Sequence, residues 1–404
     1  MITSQCFLCE SKTLYTAIDL GFHPLADTFL KKEQLSEPEV RYPLNVVACK
    51  SCGHLMNGYI VPAEARYQEN EYSYDSSNSS VAISHFDEFA TEAIEVAHID
   101  KKDLVIDVGS NVGTFLGKFR EHSGCRVLGI EPSKNIATIA QKNGIKTIQD
   151  FFNAKSVKKA QGISKAKLIT GTNVYNHIEN QKEFAKNVSA ILTSDGMVAI
   201  ETPYAGTLVD ETSFDTIYLE HASYFFVTPL KKFWAQYGFN ISHVALNSYM
   251  GGSVRFYLSR HLPESPEVAK MVKQEKKNGY FKPKTYQEFM QRTVEFKTDL
   301  MKKLYDIKSK GGVIIGIGAA TKGNTLLNYC GIDANLLEYV TDASPLKIGK
   351  YTPGSHIVIK NDSDIDNKVI THGLILPWNI GAFLSKKLSP LGIKLLVPHL
   401  NQKK

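Results

Sequence analysis

The stretch from Leu104 to Glu131 constrains the fold of this chain more than any other. Leu104-Val-Ile-Asp-Val108 is a short apolar run suited to a strand, with Asp107 near its end. Gly109 and Gly113 flank a tight turn, and Phe115-Leu-Gly-Lys-Phe119 opens a helix. Arg126-Val-Leu-Gly-Ile130 is a second strand, tipped by Glu131. Strand, glycine turn, helix and strand make one crossover unit of an open α/β sheet. The glycines let a ligand approach the backbone, and an acid about twenty residues on is placed to hold two ribose hydroxyls. The dinucleotide pattern is broken, because its second and third glycines would fall on Asn111 and Thr114.

At roughly 150 residues per domain, 404 residues suggest two or three domains. A net charge of +6 spread over such a chain suits anionic small ligands better than nucleic acid, for which basic residues should cluster. Met1 to Leu20 has no apolar core of signal-peptide length. No run approaches the roughly eighteen apolar residues that a membrane helix needs. A cytoplasmic protein with no membrane or nucleic-acid partner is expected.

Cys6-Phe-Leu-Cys9 and Cys49-Lys-Ser-Cys52 are two paired knuckles. Together they supply four thiolates in a tetrahedron, as structural zinc requires, and they leave no open position for chemistry. His54 reads as a bystander. The loop Gly21-Phe-His-Pro-Leu-Ala-Asp-Thr28 is not basic, which speaks against a nucleic-acid ribbon. A zinc domain over residues 1–77 follows. Its last part, Tyr67 to Ser77, is dense in hydroxyls and acids and reads as a linker, although Tyr72 and Tyr74 are rings suited to covering a ligand.

A helix from Val81 leads into a central domain assigned to 78–246. Ser133 to Lys142 reads as a helix with Ser133 at its N-cap. Gly144 to Asp150 reads as a third strand ending in an acid, followed by Phe151-Phe152. An acid beside aromatic rings suits a purine. Further strands run into Asn173 and His177, and into Glu201. In an open α/β sheet ligands sit at the carboxyl ends of the strands, where these polar groups gather. Tyr218, Glu220 and His221 follow in one aromatic segment; a histidine beside a carboxylate and a phenol can act as a general base.

The third unit is assigned to 247–404. Ser248 to Tyr257 reads as a strand with a Gly-Gly turn, and Ser265 to Lys310 as a solvated helical arm or bridge. Gly312 to Thr325 repeats the strand, glycine turn and helix, with Gly316, Gly318 and Thr321 in place of the dinucleotide glycines. The start of that helix, with Thr321, Lys322 and Gly323, suits a diphosphate, and Lys347 adds charge. A strand ending at Asp342 follows.

These motifs resemble the sugar C-methyltransferases that act on 4-keto nucleotide sugars with S-adenosylmethionine (SAM). The resemblance runs through both cysteine knuckles, Tyr72 to Ser77, Gly109-Ser-Asn-Val-Gly113, Gly129-Ile-Glu-Pro132, Asn173-Val-Tyr-Asn-His177, Tyr218-Leu-Glu-His221, Gly251-Gly-Ser253, Gly318-Ala-Ala-Thr-Lys-Gly323 and Pro353-Gly-Ser-His356. It implies an α/β chain with a small N-terminal zinc-binding domain, a central class I SAM-dependent methyltransferase domain and a C-terminal Rossmann-like domain that helps hold the nucleotide sugar. It implies His221 as base, with Tyr72, His177, Tyr218 and Glu220 around the sugar. The expected cofactor set is Tyr74, Ser77, Asp107, Gly109, Asn111, Gly113, Thr114, Phe115, Glu131, Pro132, Asp150, Phe151 and Asn173. The expected substrate set is Gly318, Ala319, Thr321, Lys322, Gly323, Asn324, Asp342 and Lys347. The family pattern has an acid where Val112 stands and a histidine where Leu219 stands.

The implied reaction removes the proton beside a ketone with neutral His221, oriented by Glu220, and methylates the resulting carbanion, in keeping with branched-sugar biosynthesis on a thymidine- or guanosine-linked 4-keto-6-deoxy sugar. A monomer is expected. Alternatives are an N- or O-methyltransferase, a nucleotide-sugar oxidoreductase using residues 312–342, and a zinc adaptor that only binds nucleotides.

Overall fold

The computed structural model describes residues 1–68, 73 and 75–398, which form three sheets. Tyr72 and Tyr74 lie outside the described residues. The N-terminal sheet is antiparallel. Leu14–His23 pairs with Tyr42–Cys49, which pairs with Leu55–Asn57. Its fourth strand, Ser223–Tyr224, comes from the central part of the chain.

The central sheet has seven strands. Its parallel part takes the order Leu192–Pro203, Ala166–Thr172, Leu104–Val108, Arg126–Ile130 and Thr147–Ile148. The burial of all five side chains of Leu104–Val108 explains its unbroken apolar run. The third expected strand shrinks to Thr147–Ile148. Ser133 holds the N-cap position, but its amide donates to Glu131 instead of its hydroxyl capping the helix.

Two antiparallel strands, Asn240–Asn247 and Ser253–Ser259, complete this sheet against Leu192–Pro203. The boundary drawn at residue 246 therefore cuts through the sheet. Ser253–Ser259 is buried along its whole length and belongs to the central layer. The unit beyond it is a five-stranded parallel sheet, with Ile314–Ile317 at its centre between Val340–Asp342 and His372–Ile375.

Of the arm and the bridge expected for residues 265–310, the structure has the bridge, with one face buried rather than solvated. Residues 265–310 form two helices, Pro266–Lys277 and Pro283–Ser309, which brace the other domains. Glu275 is fully buried and accepts from the amides of Val227 and Thr228 and from the Tyr204 hydroxyl. Tyr286 and Phe289 pack into the core shared by the N-terminal and central sheets. The helix faces that touch nothing in the sequence pattern thus close a joint core.

The opening turn shows why glycine is needed. Gly113 has φ +83°, and a Cβ there would sit 2.6 Å from Ile145. Gly113→Ala combines a left-handed backbone with an overpacked contact, each costing about 1–3 kcal/mol. A lower denaturant midpoint than wild type is expected by chemical unfolding.

Candidate active site

The carboxyl ends of the central and C-terminal sheets face a shared cavity of about 1470 Å³. On the central wall, Glu131 is buried. Its Oε2 accepts from the Asn111 amide (3.1 Å) and its Oε1 from the Ser133 amide (2.9 Å), which leaves lone pairs on both oxygens. Burial raises its carboxyl above the usual range. Asp107 accepts from Thr170 (2.7 Å) and is pushed up to about 7, first by burial and then by Glu131. Gly109, Phe115, Pro132, Phe151 and Asn173 share this wall. The Asn173 Oδ1 is buried without a hydrogen-bond partner among the described residues.

Other expected residues do not reach the cavity. Asp150 is turned into its own loop, accepting from the Phe151 amide and the Asn153 side chain (3.0 Å each). Gly113 backs onto Ile145. Thr114 meets Ser76, and Ser77 donates to Asp75 (2.6 Å). Val112 and Leu219, the two departures from the family pattern, are core residues that replace no cavity group.

At the seam of the domains lies a histidine cluster. His221 is buried, and its Nδ1 lies 2.9 Å from the Thr216 carbonyl oxygen. A carbonyl only accepts, so Nδ1 carries the proton and Nε2 keeps its lone pair. The Tyr218 ring lies 3.7 Å away, centre to centre, and the His177 ring 4.8 Å away, edge-on. His177 Nδ1 is 2.6 Å from the Tyr67 hydroxyl. Burial, then His177, Lys322 and Arg66, hold His221 well below the usual histidine range. Burial, then Arg66, lowers His177 to about 3. Both rings are therefore neutral at pH 7.

Glu220 does not orient His221, contrary to expectation. The turn closed by the His221 amide on the Tyr218 carbonyl (3.0 Å) stacks Tyr218 over His221 and sends Glu220 to the N-terminal domain. There its Oε1 accepts from the Asp27 amide (2.9 Å). The Thr216 carbonyl does the orienting. Glu220 is pushed up to about 7 by burial and then by Asp27.

The opposite wall comes from the C-terminal sheet. Gly318, Thr321, Lys322, Asp342 and Lys347 all line it. Lys322 donates to the Met250 carbonyl (3.1 Å) and lies 4.8 Å over the Trp378 ring, whose indole donates to Asp215 (2.6 Å). Lys347 donates to the Ala319 carbonyl (2.8 Å), and Asp342 accepts from the amides of Ala319 and Ser344 (2.8 Å each). Ala319, Gly323 and Asn324 stand off the wall. A Cβ at Gly323 would meet Leu376 at 2.7 Å, so this glycine serves helix packing. Asn324 donates to the Ala26 carbonyl (2.7 Å) and pins the N-terminal domain. Asp27, Arg66, Tyr67 and Asp215 also line or support the site and were not found in the sequence. Asp27 and Arg66 come from segments remote from the motifs, whereas Asp215 and Tyr67 stand beside Tyr218 and at the start of the linker without a spacing that marks them.

The four knuckle sulfurs lie within 4.8 Å of one another, with Cys6–Cys52 and Cys9–Cys49 at 3.5 Å. Zinc–sulfur bonds of about 2.3 Å would set sulfurs about 3.8 Å apart, so the cluster fits tetrahedral zinc. None of the four lines the cavity. His54 turns away to Ser223 (3.1 Å). Zinc here is structural. Cys49→Ser is expected to lose the metal, measured by atomic emission, and to lower the thermal midpoint, because that cysteine ends a central strand of its sheet.

Three family descriptions match this chain: a zinc binding domain over residues 6–67, a methyltransferase domain over 83–244 and a C-methyltransferase C-terminal domain over 248–395. The last of these starts before Ser253–Ser259, so the family division, unlike the sheet, assigns that strand to the third unit. C-methyltransferase NovU of Streptomyces niveus is 30% identical over 381 residues, covering 93% of this chain and 90% of its own length. Among solved structures, magnesium protoporphyrin IX methyltransferase of Synechocystis PCC 6803 with bound SAM is 13% identical. It matches 44% of this chain and 79% of its own, with a TM-score of 0.34. Cyclopropane synthase MmaA2 of Mycobacterium tuberculosis is 14% identical and matches 54% of this chain and 81% of its own, with a TM-score of 0.35. Scores this low carry no argument beyond the sequence match.

Proposed function

This chain belongs to the C-methyltransferase family and is a SAM-dependent methyltransferase; from that premise we propose that it methylates the carbon beside the ketone, C-3', of a 4-keto-6-deoxy sugar linked to a thymidine or guanosine diphosphate. The observation that carries this reading is His221, a buried neutral imidazole with Nδ1 tied to a carbonyl and Nε2 left as acceptor. A proton beside a ketone is acidic enough for such a base. An amine or hydroxyl substrate would need no enolate, and the methyl would then be found on nitrogen or oxygen.

The residues present fit the cofactor. The free lone pairs of Glu131 suit two ribose hydroxyls, and Phe151 offers a ring to the adenine. SAM supplies an electrophilic methyl group on a sulfonium. His221 Nε2 takes the carbon-bound proton. Donors near the ketone oxygen, Tyr218 and His177 among them, stabilise the charge that develops there, each worth a few kcal/mol, about 3. Thr321 and Lys322 face the diphosphate from the start of their helix. Lys322 donates to one carbonyl at the wall and feels the buried Asp215 carboxylate, and a diphosphate would add a direct anionic partner.

Incubation with SAM and a panel of 4-keto nucleotide sugars is expected to add one methyl to at least one of them, read by mass spectrometry; a panel without any gain counts against the substrate class. His221→Ala and His221→Asn should each lower turnover by about 100-fold or more with cofactor binding intact, and near-normal turnover in both would remove His221 as base. Glu131→Ala should weaken SAM binding by about ten-fold or more in calorimetry, since hydrogen bonds to a charged group are worth about 1.5–3 kcal/mol.

A further inference from the structure

The loop Gly21–Thr28 serves neither the zinc nor, on its composition, a nucleic acid. Its Asp27 is buried on the cavity wall and touches all three parts of the molecule. Its amide donates to Glu220 Oε1 (2.9 Å). Its carboxylate accepts from Thr321 Oγ (3.0 Å) at the start of the C-terminal helix and from Ser73 Oγ (3.2 Å) in the linker. The neighbouring Ala26 carbonyl accepts from Asn324, so the loop is clamped on both sides. The other oxygen of Glu220, Oε2, is buried with no hydrogen-bond partner among the described residues, and Glu220 lines the cavity.

We propose that Asp27 is a positioning residue for the reaction: it fixes Glu220 so that Oε2 presents an O–H to the ketone oxygen of the substrate, and it ties that group to the helix facing the diphosphate. This rests on the substrate reading above. Two buried carboxyls this close do not both ionise. Burial raises both carboxyls, but two hydroxyls donate to Asp27 and Lys347 and Lys350 favour its charge, so the single charge is placed there. Glu220 then keeps the proton. Oε1 is already an acceptor for the Asp27 amide, so the proton belongs on Oε2. Among the described residues, the titratable groups packed around Glu220 are Asp27, Arg66, Tyr67, Tyr218, Tyr224 and His177. The tyrosines and His177 are neutral at pH 7, so Asp27 and Arg66 set its charge. No proton leaves Glu220 in this role. The carbon-bound proton goes to His221, the methyl–sulfur bond breaks as the carbon–carbon bond forms, and the ketone is restored.

The test is the pH dependence of kcat/KM, which reports the free enzyme, for wild type, Asp27→Asn, Glu220→Gln and the double variant, with zinc content and SAM binding as controls of folding. Wild-type kcat/KM should fall as pH rises through about 7. Asp27→Asn removes the charge that keeps Glu220 protonated. Its alkaline limb should move to lower pH and its kcat fall by about ten-fold. Glu220→Gln keeps an N–H donor at the same place, so it should lose the limb and retain kcat within about ten-fold of wild type. Adding Asp27→Asn to it should move the profile no further. Should Asp27→Asn fail to fold, Thr321→Val removes one donor from Asp27 and should shift the limb in the same direction. An active wild type with an unmoved limb in the folded variant overturns this inference and leaves the substrate reading standing. A wild type that methylates no 4-keto nucleotide sugar overturns both.

Discussion

One buried hydrogen bond sets the chemistry of this molecule: His221 Nδ1 on the Thr216 carbonyl. It decides which imidazole nitrogen is free, and burial decides that the ring stays neutral. Neither works unless the turn from Phe214 to Ala222 holds its shape away from water. The N-terminal domain braces it through Asn57, whose side chain donates to the Tyr218 carbonyl, and through Arg66, which donates to that of Glu220. The C-terminal helix braces it through Thr325, which donates to the Ile217 carbonyl. A zinc knuckle domain far from the chemistry thus belongs to the site as a support, and so does the C-terminal sheet.

The same dryness explains the unusual electrostatics. Buried polar groups are costly unless paired, and here several pairings are incomplete. Glu220 Oε2 and Asn173 Oδ1 lack hydrogen-bond partners among the described residues, and both residues line the cavity. Lys322 rests on a carbonyl and an indole face, and Lys347 on a carbonyl beside Asp342. In the proposed reading His221 and these groups meet an acidic carbon–hydrogen bond, a carbonyl oxygen and phosphate charge on the substrate.

Local patterns carried much of this. Two cysteine pairs gave the metal cluster, and the apolar run into Gly109 gave the sheet and the turn. Glu131 was legible because an acid at a strand tip has a fixed place in such a unit. What the chain hides is contact between remote segments. Asp27 sits in a turn and Arg66 in the short helix Ala63–Tyr67, neither marked by composition, and they matter because folding brings them to Glu220. The strand Ser253–Ser259 was seen, but not its pairing with Leu192–Pro203, since a strand does not name its partner. Gly323 and Asn324 follow Thr321 and Lys322, which line the cavity, yet helical spacing turns them to Leu376 and Ala26. Glu220 was read as the partner of its sequence neighbour, and the turn geometry separates them.

The account stands on carbon acidity, and proton exchange measures that directly. With a 4-keto nucleotide sugar in deuterated water and no methyl donor, the wild-type protein should exchange the proton on one carbon beside the ketone, and His221→Ala should not. Methyl transfer to the sugar with no exchange at that carbon, or with the methyl found on oxygen or nitrogen, would contradict it.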